Sequence, residues 1–224
     1  MNSSGPFRKE AYMDSVDTTD RFLITSAQQL EALYGEPLEA AVKKQADYIV
    51  EPGRAFIAAS PFLLLATASD AGIDCSPKGD APGFVQLLDD RTVLIPDRPG
   101  NNRVDGMRNI IANPKVGIIF MIPGANVTYR INGSASISVD PDLLDRFLVQ
   151  GKRPRAVVVV AVEEAFHHCP KAFVRSKLWA AGANGAPADA PTSGSFAAWR
   201  DGGDSAYAEQ YETDYQARLK DNLY

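Results

Sequence analysis

Short apolar runs of strand length dominate the middle of the chain. The runs at 62–67 and 116–122 are almost wholly apolar, and each is bounded by residues typical of turns. Residues 126–139 alternate instead, with Val127 and Tyr129 separated by polar neighbours, which is the pattern of a strand with one buried face. Because turn residues follow most of these runs closely, we predict about six strands joined mainly by hairpins.

Helical patterns flank and interrupt these strands. Ser26 and Gln29 have the spacing of a capping box, and helices are predicted for Ser26–Tyr34, Leu38–Ile49, Pro52–Ala59, Arg103–Asn113 and Pro141–Val149, with a helix or an extended arm at Phe166–Trp179. The fold class is therefore mostly β, a six-stranded antiparallel barrel with peripheral helices. We divide the chain into an N-terminal helical extension (1–50), the barrel (51–165) and a C-terminal arm and tail (166–224) that packs on the barrel.

Composition narrows the class of protein. A chain of 224 residues with 45% hydrophobic and 23% charged residues is ordinary for a globular protein. Its net charge of −5 argues against broad nucleic-acid binding, and no apolar run approaches the ~20 residues of a membrane span. The polar N-terminus and the two isolated cysteines, Cys75 and Cys169, favour a cytoplasmic location.

A turn rich in arginine and asparagine joins the predicted strand at 92–95 to the helix that follows it. Arg98, Asn101, Asn102 and Arg103 lie there, just before a helix N-terminus. Free backbone N–H groups, the helix dipole and guanidinium groups favour a phosphate at such a place. The alternative is a solvated turn in which Asn101 or Asn102 caps the helix.

Two further pairs of polar residues project from strands. Ser76 and Lys78 close the second strand, and in a small barrel Lys78 can converge with Arg98 and Arg103 on one dianion, although an isolated loop lysine is usually solvated. Thr128 and Arg130 either line a ligand groove or belong to the wet face of their strand.

The segment His167–Trp179 holds both histidines, one cysteine, Lys171, Arg175 and Trp179. A metal site there is disfavoured because adjacent His167, His168 and Cys169 cannot all face one ion from a regular helix. A Cys–His nucleophile lacks an orienting third group. Two interpretations stay open, a packing segment with a polar face and a segment that lays Arg175, Ser176 and Trp179 over a cofactor.

Six short motifs together resemble the pyridoxamine 5′-phosphate oxidase-like flavoproteins, in particular a subgroup of bacterial oxidase-related proteins. They are Ser76–Asp80 (SPKGD), Pro96–Arg103 (PDRPGNNR), Asn113–Gly117 (NPKVG), Ile122–Gly124 (IPG), Arg130–Gly133 (RING) and His168–Trp179 (HCPKAFVRSKLW). The resemblance covers about residues 49–179, and it rests on the order and spacing of the motifs.

The resemblance implies an FMN-binding split barrel that forms a homodimer, with FMN at the subunit interface. It implies that FMN contacts Ser76, Lys78, Arg98, Asn101, Asn102, Arg103, Thr128, Arg175, Ser176 and Trp179, the last three from the other subunit. Arg130 and Lys171 are the candidates for groups that face the substrate.

The implied function is an FMN-dependent oxidoreductase, with two-electron transfer at flavin N5 and a small organic molecule or a nicotinamide cofactor as the other reactant. The chain reads RLKDNLY at 218–224 where pyridoxamine-phosphate oxidases have a closing Arg-Leu-x-Pro, so FMN is implied more strongly than pyridoxamine phosphate. Three alternatives stay open: a deazaflavin enzyme, a flavin-binding sensory module without turnover, and a haem-binding barrel that uses His167 or His168.

Overall fold

The structure, a computed structural model, describes residues 22–179 and 190–221, and most of these residues form eight helices and seven strands. The helices are α1 (Ala27–Tyr34), α2 (Glu39–Lys43), α3 (Glu51–Ala59), α4 (Asp105–Ala112), α5 (Pro141–Asp145), α6 (Lys171–Ser176), α7 (Ser193–Asp201) and α8 (Ser205–Asp221). The strands are β1 (Phe62–Ser69), β2 (Gly72–Gly79), β3 (Gln86–Leu87), β4 (Thr92–Asp97), β5 (Lys115–Met121), β6 (Thr128–Ser138) and β7 (Ala156–His168).

All seven strands pair antiparallel in one sheet, in the order β2-β1-β5-β6-β7-β4-β3. The ends of β2 and β4 are joined by side chains, because Lys78 on β2 forms an ion pair with Asp97 on β4. This is a split barrel, which confirms the predicted mostly-β fold with peripheral helices. The predicted count of about six strands is one short of the seven observed.

The main core lies on the inner face of the sheet. Along β1, Leu63, Leu65 and Thr67 are buried while their neighbours are partly exposed, as strand alternation requires. Phe120 from β5 and Ile131 from β6 are completely buried in the same core. This continuous apolar interior fixes the strand register and therefore the polar ends of the strands that form the site.

Local signals set most helix boundaries. Ser26 accepts a hydrogen bond from the backbone N–H of Gln29, whose side chain accepts in return from the Ser26 N–H, so the predicted capping box is present. Pro52 lies in the first turn of α3, where proline is favoured, and Asp140 caps α5. These three starts agree with the sequence patterns.

Three predicted segments are wrong in extent. The helix predicted for Leu38–Ile49 ends at Lys43, because Ala46 forms a bridge with Ala165 and the Ile49 N–H donates to the Asp90 carbonyl at 2.7 Å. Main-chain pairing with the sheet thus replaces the last helical turns.

The other two segments lie near the end of the barrel. β7 continues to His168, because β6 pairs with it as far as Thr128, and this leaves only Lys171–Ser176 as helix in the predicted arm. The helix predicted for Pro141–Val149 ends at Asp145.

The chain divides into two compact units, with the boundary between Lys43 and Lys44. Among the described residues, the first unit contains α1 and α2, and the second contains the sheet and α3 to α8. The division at residues 50 and 165 stays a prediction. None of the helices in the described ranges has the length and apolar character needed to cross a membrane.

Candidate functional site

A cavity of about 670 Å³ opens between β2, the end of β4 and the start of α4. Its volume falls within the roughly 300–1,000 Å³ of typical small-molecule sites. Six residues that the sequence predicts as phosphate ligands line it: Ser76, Lys78, Arg98, Asn101, Asn102 and Arg103. The structure therefore brings together two segments that are about 20 residues apart in the chain.

β2 contributes one face of alternating residues to the cavity. Asp74, Ser76 and Lys78 are half-buried and line it. The Ser76 hydroxyl donates to Asp74 Oδ2 at 2.6 Å, and Lys78 Nζ donates to Asp97 Oδ1 at 2.9 Å. Both side chains are therefore held by carboxylates in fixed positions at the wall.

Arg98 is the most enclosed cation of the site. Its side chain is 15% exposed and pairs through Nε with Asp80, which is 4% exposed, at 2.9 Å. Its Nη1 also donates to the Phe147 carbonyl at 2.7 Å. The guanidinium thus links the turn after β4 to the end of β2 and to the segment after α5.

The first turn of α4 faces the cavity without a side-chain cap. Its N-cap is Val104, so neither asparagine caps the helix. Asn101 Oδ1 instead accepts from the Arg103 N–H at 3.0 Å. A Cβ on Gly106 would lie 2.8 Å from Asp74 Oδ2, so the glycine allows a carboxylate to approach the positive end of the helix. The same end suits a phosphate.

Sequence reasoning missed several residues that line the cavity, and three of them carry polar side chains of interest. Arg155 Nη1 donates to Asn102 Oδ1, and the basic run Lys152–Arg155 in front of β7 is the sequence signal that could have indicated it. Asp74 and Tyr215 also line the cavity. Tyr215 lies on α8, and no sequence pattern connects that helix with the site.

Four cations, Lys78, Arg98, Arg103 and Arg155, line the cavity together with the carboxylates of Asp74 and Asp97. Arg103 is 78% exposed and pairs with Asp105. Cationic donors, a serine hydroxyl and an uncapped helix start are the groups that bind a phosphate ester. The donor set therefore fits the phosphate of FMN.

The model of one protein family, described as pyridoxamine 5′-phosphate oxidase, matches residues 49–169, more than half of the chain. The chain belongs to the pyridoxamine 5′-phosphate oxidase family. The resemblance seen in the sequence motifs is thus confirmed, and the matched range spans the whole sheet together with α3 to α5.

Solved structures similar to this family member include several bacterial proteins. HupZ from Group A Streptococcus is 25% identical, with a TM-score of 0.44, over 54% of this chain and 99% of that chain. An FMN-binding protein from Syntrophomonas wolfei is 14% identical, with a TM-score of 0.43, over 62% and 96%. General stress protein 26 from Bacillus anthracis is 15% identical, with a TM-score of 0.34, over 50% and 88%. Comparison with curated proteins gave no match.

The other predicted cofactor residues of this family member do not line the cavity of their own chain. Thr128 is buried at the start of β6, opposite His168 on β7. Trp179 Nε1 donates to the Ala125 carbonyl at 2.9 Å, and its ring stacks on Phe173 at a centroid distance of 6.0 Å. The arm therefore rests on the turn between β5 and β6.

Arg175 and Lys171 are exposed on α6, and the Ser176 hydroxyl donates to the Phe173 carbonyl. Contact of the arm residues with the flavin of another subunit stays a prediction, as does the substrate-facing role of Lys171. Among residues 22–179 and 190–221, no group of three or more His, Cys, Asp or Glu side chains could hold a metal ion.

Arg130, the other predicted substrate-facing residue, lies on the outer face of β6. Its Cζ is 5.1 Å from the centroid of the Phe166 ring, within the range of a cation–π contact. Lys44 Nζ lies 5.6 Å from the same centroid. The pKa of His168 is lowered by burial first and then by the positive charges of Arg130 and Lys44.

Proposed function

We propose that this protein binds FMN, with the phosphate held in the cavity between β2 and the start of α4. The observation that carries the proposal is the convergence of Lys78, Arg98, Arg103 and Arg155 on one cavity beside an uncapped helix start. Membership of the pyridoxamine 5′-phosphate oxidase family supports the same cofactor. The Ser76 hydroxyl, which donates to Asp74, lies at the same wall.

The residues of the chain have positioning roles in this proposal. Asp97 holds Lys78, and Asp80 holds Arg98, each at 2.9 Å, so the two cations are oriented before the phosphate arrives. Pre-organised donors lower the entropic cost of binding.

We further propose an FMN-dependent oxidoreductase whose second reactant is a small organic molecule or a nicotinamide cofactor. Bound FMN supplies two-electron transfer at its N5 atom. The protein supplies position and positive charge, and cations near the isoalloxazine ring favour the anionic reduced flavin. Arg130 and Lys171 are proposed to face the substrate.

A homodimer is proposed from the outer face of the sheet. Leu64 and Ala66 on β1 and Ile119 and Met121 on β5 point away from the core and are only partly exposed. An apolar sheet face of this kind favours a second protein surface. We expect Ile119→Lys to shift the protein from dimer to monomer in analytical ultracentrifugation. Ile111→Lys, at a 79% exposed position on α4, is the matched control and should stay dimeric.

The cofactor proposal is tested with the double variant Arg103→Ala/Arg155→Ala. Both side chains are exposed, so each contact should give the lower end of the roughly 1.5–3 kcal/mol of a charge-assisted hydrogen bond. We expect FMN to bind about a hundredfold more weakly, measured by quenching of flavin fluorescence. Arg153→Ala, which removes an exposed arginine paired with Asp145, is the control, and equal affinity in both variants would contradict the site.

Turnover is tested separately from binding. Under anaerobic conditions, NADH, NADPH and pyridoxamine phosphate are added to the FMN-loaded protein, and the flavin absorption band is followed. Bleaching by one of them supports an oxidoreductase. Bound FMN that none of them reduces or perturbs would favour a flavin-binding module instead.

A further inference from the structure

A second cluster of basic groups lies away from the cavity, on the outer face of β6 and β7. Arg130 and Lys44 both lie against the ring of Phe166, with Cζ at 5.1 Å and Nζ at 5.6 Å from its centroid. The His168 ring lies 6.4 Å from the same centroid. Register places Arg130 directly opposite Phe166, so this group is built into the strand pairing.

Neither cation of this cluster is neutralised within the part of the chain that the structure describes. Lys44 and Arg130 form no ion pair or side-chain hydrogen bond there, and Arg130 Nε is buried without a partner. Glu164, two residues before Phe166, accepts from Gln45 and Asn132 instead. A buried, unpaired donor requires an explanation, and an absent ion is one of the usual ones.

Three other cations, by contrast, are each paired with an acid. Lys115, on the neighbouring strand β5, is paired with Glu163, and Arg153 is paired with Asp145. Even the strongly exposed Arg103 forms an ion pair, with Asp105. Two like charges beside one ring repel each other, and a bound anion removes that repulsion.

We propose that Lys44, Arg130 and His168 form an oxyanion site that takes a carboxylate or phosphate group of a small molecule. The guanidinium and the ammonium supply charged donors to the oxygens, and the exposed imidazole of His168 supplies a third contact. Phe166 forms an apolar floor that holds both cations in place.

This site does not depend on the proposed function, because none of its residues lines the cavity between β2 and α4. The proposals of FMN binding and of oxyanion binding can therefore be refuted independently. If both hold, the site is a candidate for the acidic group of the substrate, and it adds Lys44 and His168 to Arg130.

The test uses His168 as a reporter at the site. The chain contains two histidines, so the imidazole Cε1–H signals in an NMR spectrum of the full-length protein number two, and His167→Gln assigns them. The pKa of His168 is measured in sodium chloride, in sodium phosphate and in sodium acetate at equal ionic strength. Equal ionic strength separates binding from screening, which also weakens the field of the cations.

We expect phosphate, acetate or both to raise the pKa of His168 above its value in chloride, because a bound anion favours the protonated imidazole. A response to phosphate alone identifies a phosphate site, and a response to acetate identifies a carboxylate site. In Lys44→Gln/Arg130→Gln the pKa of His168 in chloride should be higher, since two cations are gone. The variant should also need about ten times more anion, or more, for the same rise of that pKa.

The matched control is Lys115→Gln/Arg153→Gln, which removes the same charge from acid-paired positions and should keep the anion response. Arg103→Ala should also keep it, since Arg103 belongs to the cavity. Identical pKa values of His168 in chloride, phosphate and acetate would overturn the proposal. An undiminished response in Lys44→Gln/Arg130→Gln would overturn it as well.

Discussion

Arg98 and Arg103, the two arginines of the turn that lines the cavity, should contribute differently to the stability of the fold. Arg98 is 15% exposed and pairs with Asp80, which is 4% exposed, whereas Arg103 is 78% exposed and pairs with the half-buried Asp105. Arg98→Ala leaves the carboxylate of Asp80 buried beside the site. Arg103→Ala leaves a carboxylate that water can reach.

The expected loss of stability follows from the burial of each ion pair. Removing one partner of a buried ion pair costs roughly 3–5 kcal/mol, and the residual exposure of Arg98 favours the lower end, about 3 kcal/mol. A domain of this size loses about 2–4 °C in Tm per kcal/mol, so Arg98→Ala should melt about 6–12 °C below the wild type. An exposed pair contributes about 0–1 kcal/mol, so Arg103→Ala should stay within about 4 °C.

Thermal unfolding followed by circular dichroism measures the difference. The proteins are first stripped of flavin, because a bound ligand adds its own stabilisation. The double variant Arg98→Ala/Asp80→Asn removes the buried charge and should recover part of the lost Tm. Equal Tm values for Arg98→Ala and Arg103→Ala would refute the reasoning, because they would show that burial of the pair does not matter.

Three further changes test other parts of the structure. Gly53→Ala places a methyl group against the buried Tyr129 ring and should lower the free energy of unfolding in urea by about 1–3 kcal/mol. Gly100→Ala, with no atom within 4 Å of the added Cβ, should leave it unchanged, and equal stabilities of the two variants would contradict the packing. Because the pKa of His168 lies below 6.5, the unfolded chain binds more protons, so the free energy of unfolding should rise with pH up to about 6.5, and His168→Gln should reduce that slope; an unchanged slope would count against the cluster. In a Trp199→Phe background, FMN should quench the fluorescence of Trp179 if the arm reaches the flavin of another subunit, and constant fluorescence would exclude that placement.

Local patterns predicted the fold well where one signal decided the structure. The capping box at Ser26 and Gln29 and the proline at Pro52 each mark a helix start that depends on neighbouring residues alone. The prediction of a helix over Leu38–Ile49 was wrong because a non-local contact determines the structure of its second half. Ala46 pairs with Ala165, more than a hundred residues away. Periodicity within a segment carries no information about such a partner.

The cavity shows the same limit. The turn with Arg98 and Arg103 was recognisable because charge, asparagines and a helix start occur together in eight residues. Arg155 and Tyr215 reach the cavity from a loop before β7 and from α8, and only the folded chain brings them there. The acids that hold the cations, such as Asp80 and Asp97, were also not assigned from the sequence, because these ion pairs join the ends of β2 and β4, two strands that are not neighbours in the sheet.

The visible absorption spectrum of the freshly purified protein tests the central claim most directly. The proposal predicts flavin bands that heat denaturation releases into the supernatant, where mass spectrometry identifies FMN, and it predicts that Arg103→Ala/Arg155→Ala retains much less of it. A colourless protein that also takes up no added FMN would contradict the account.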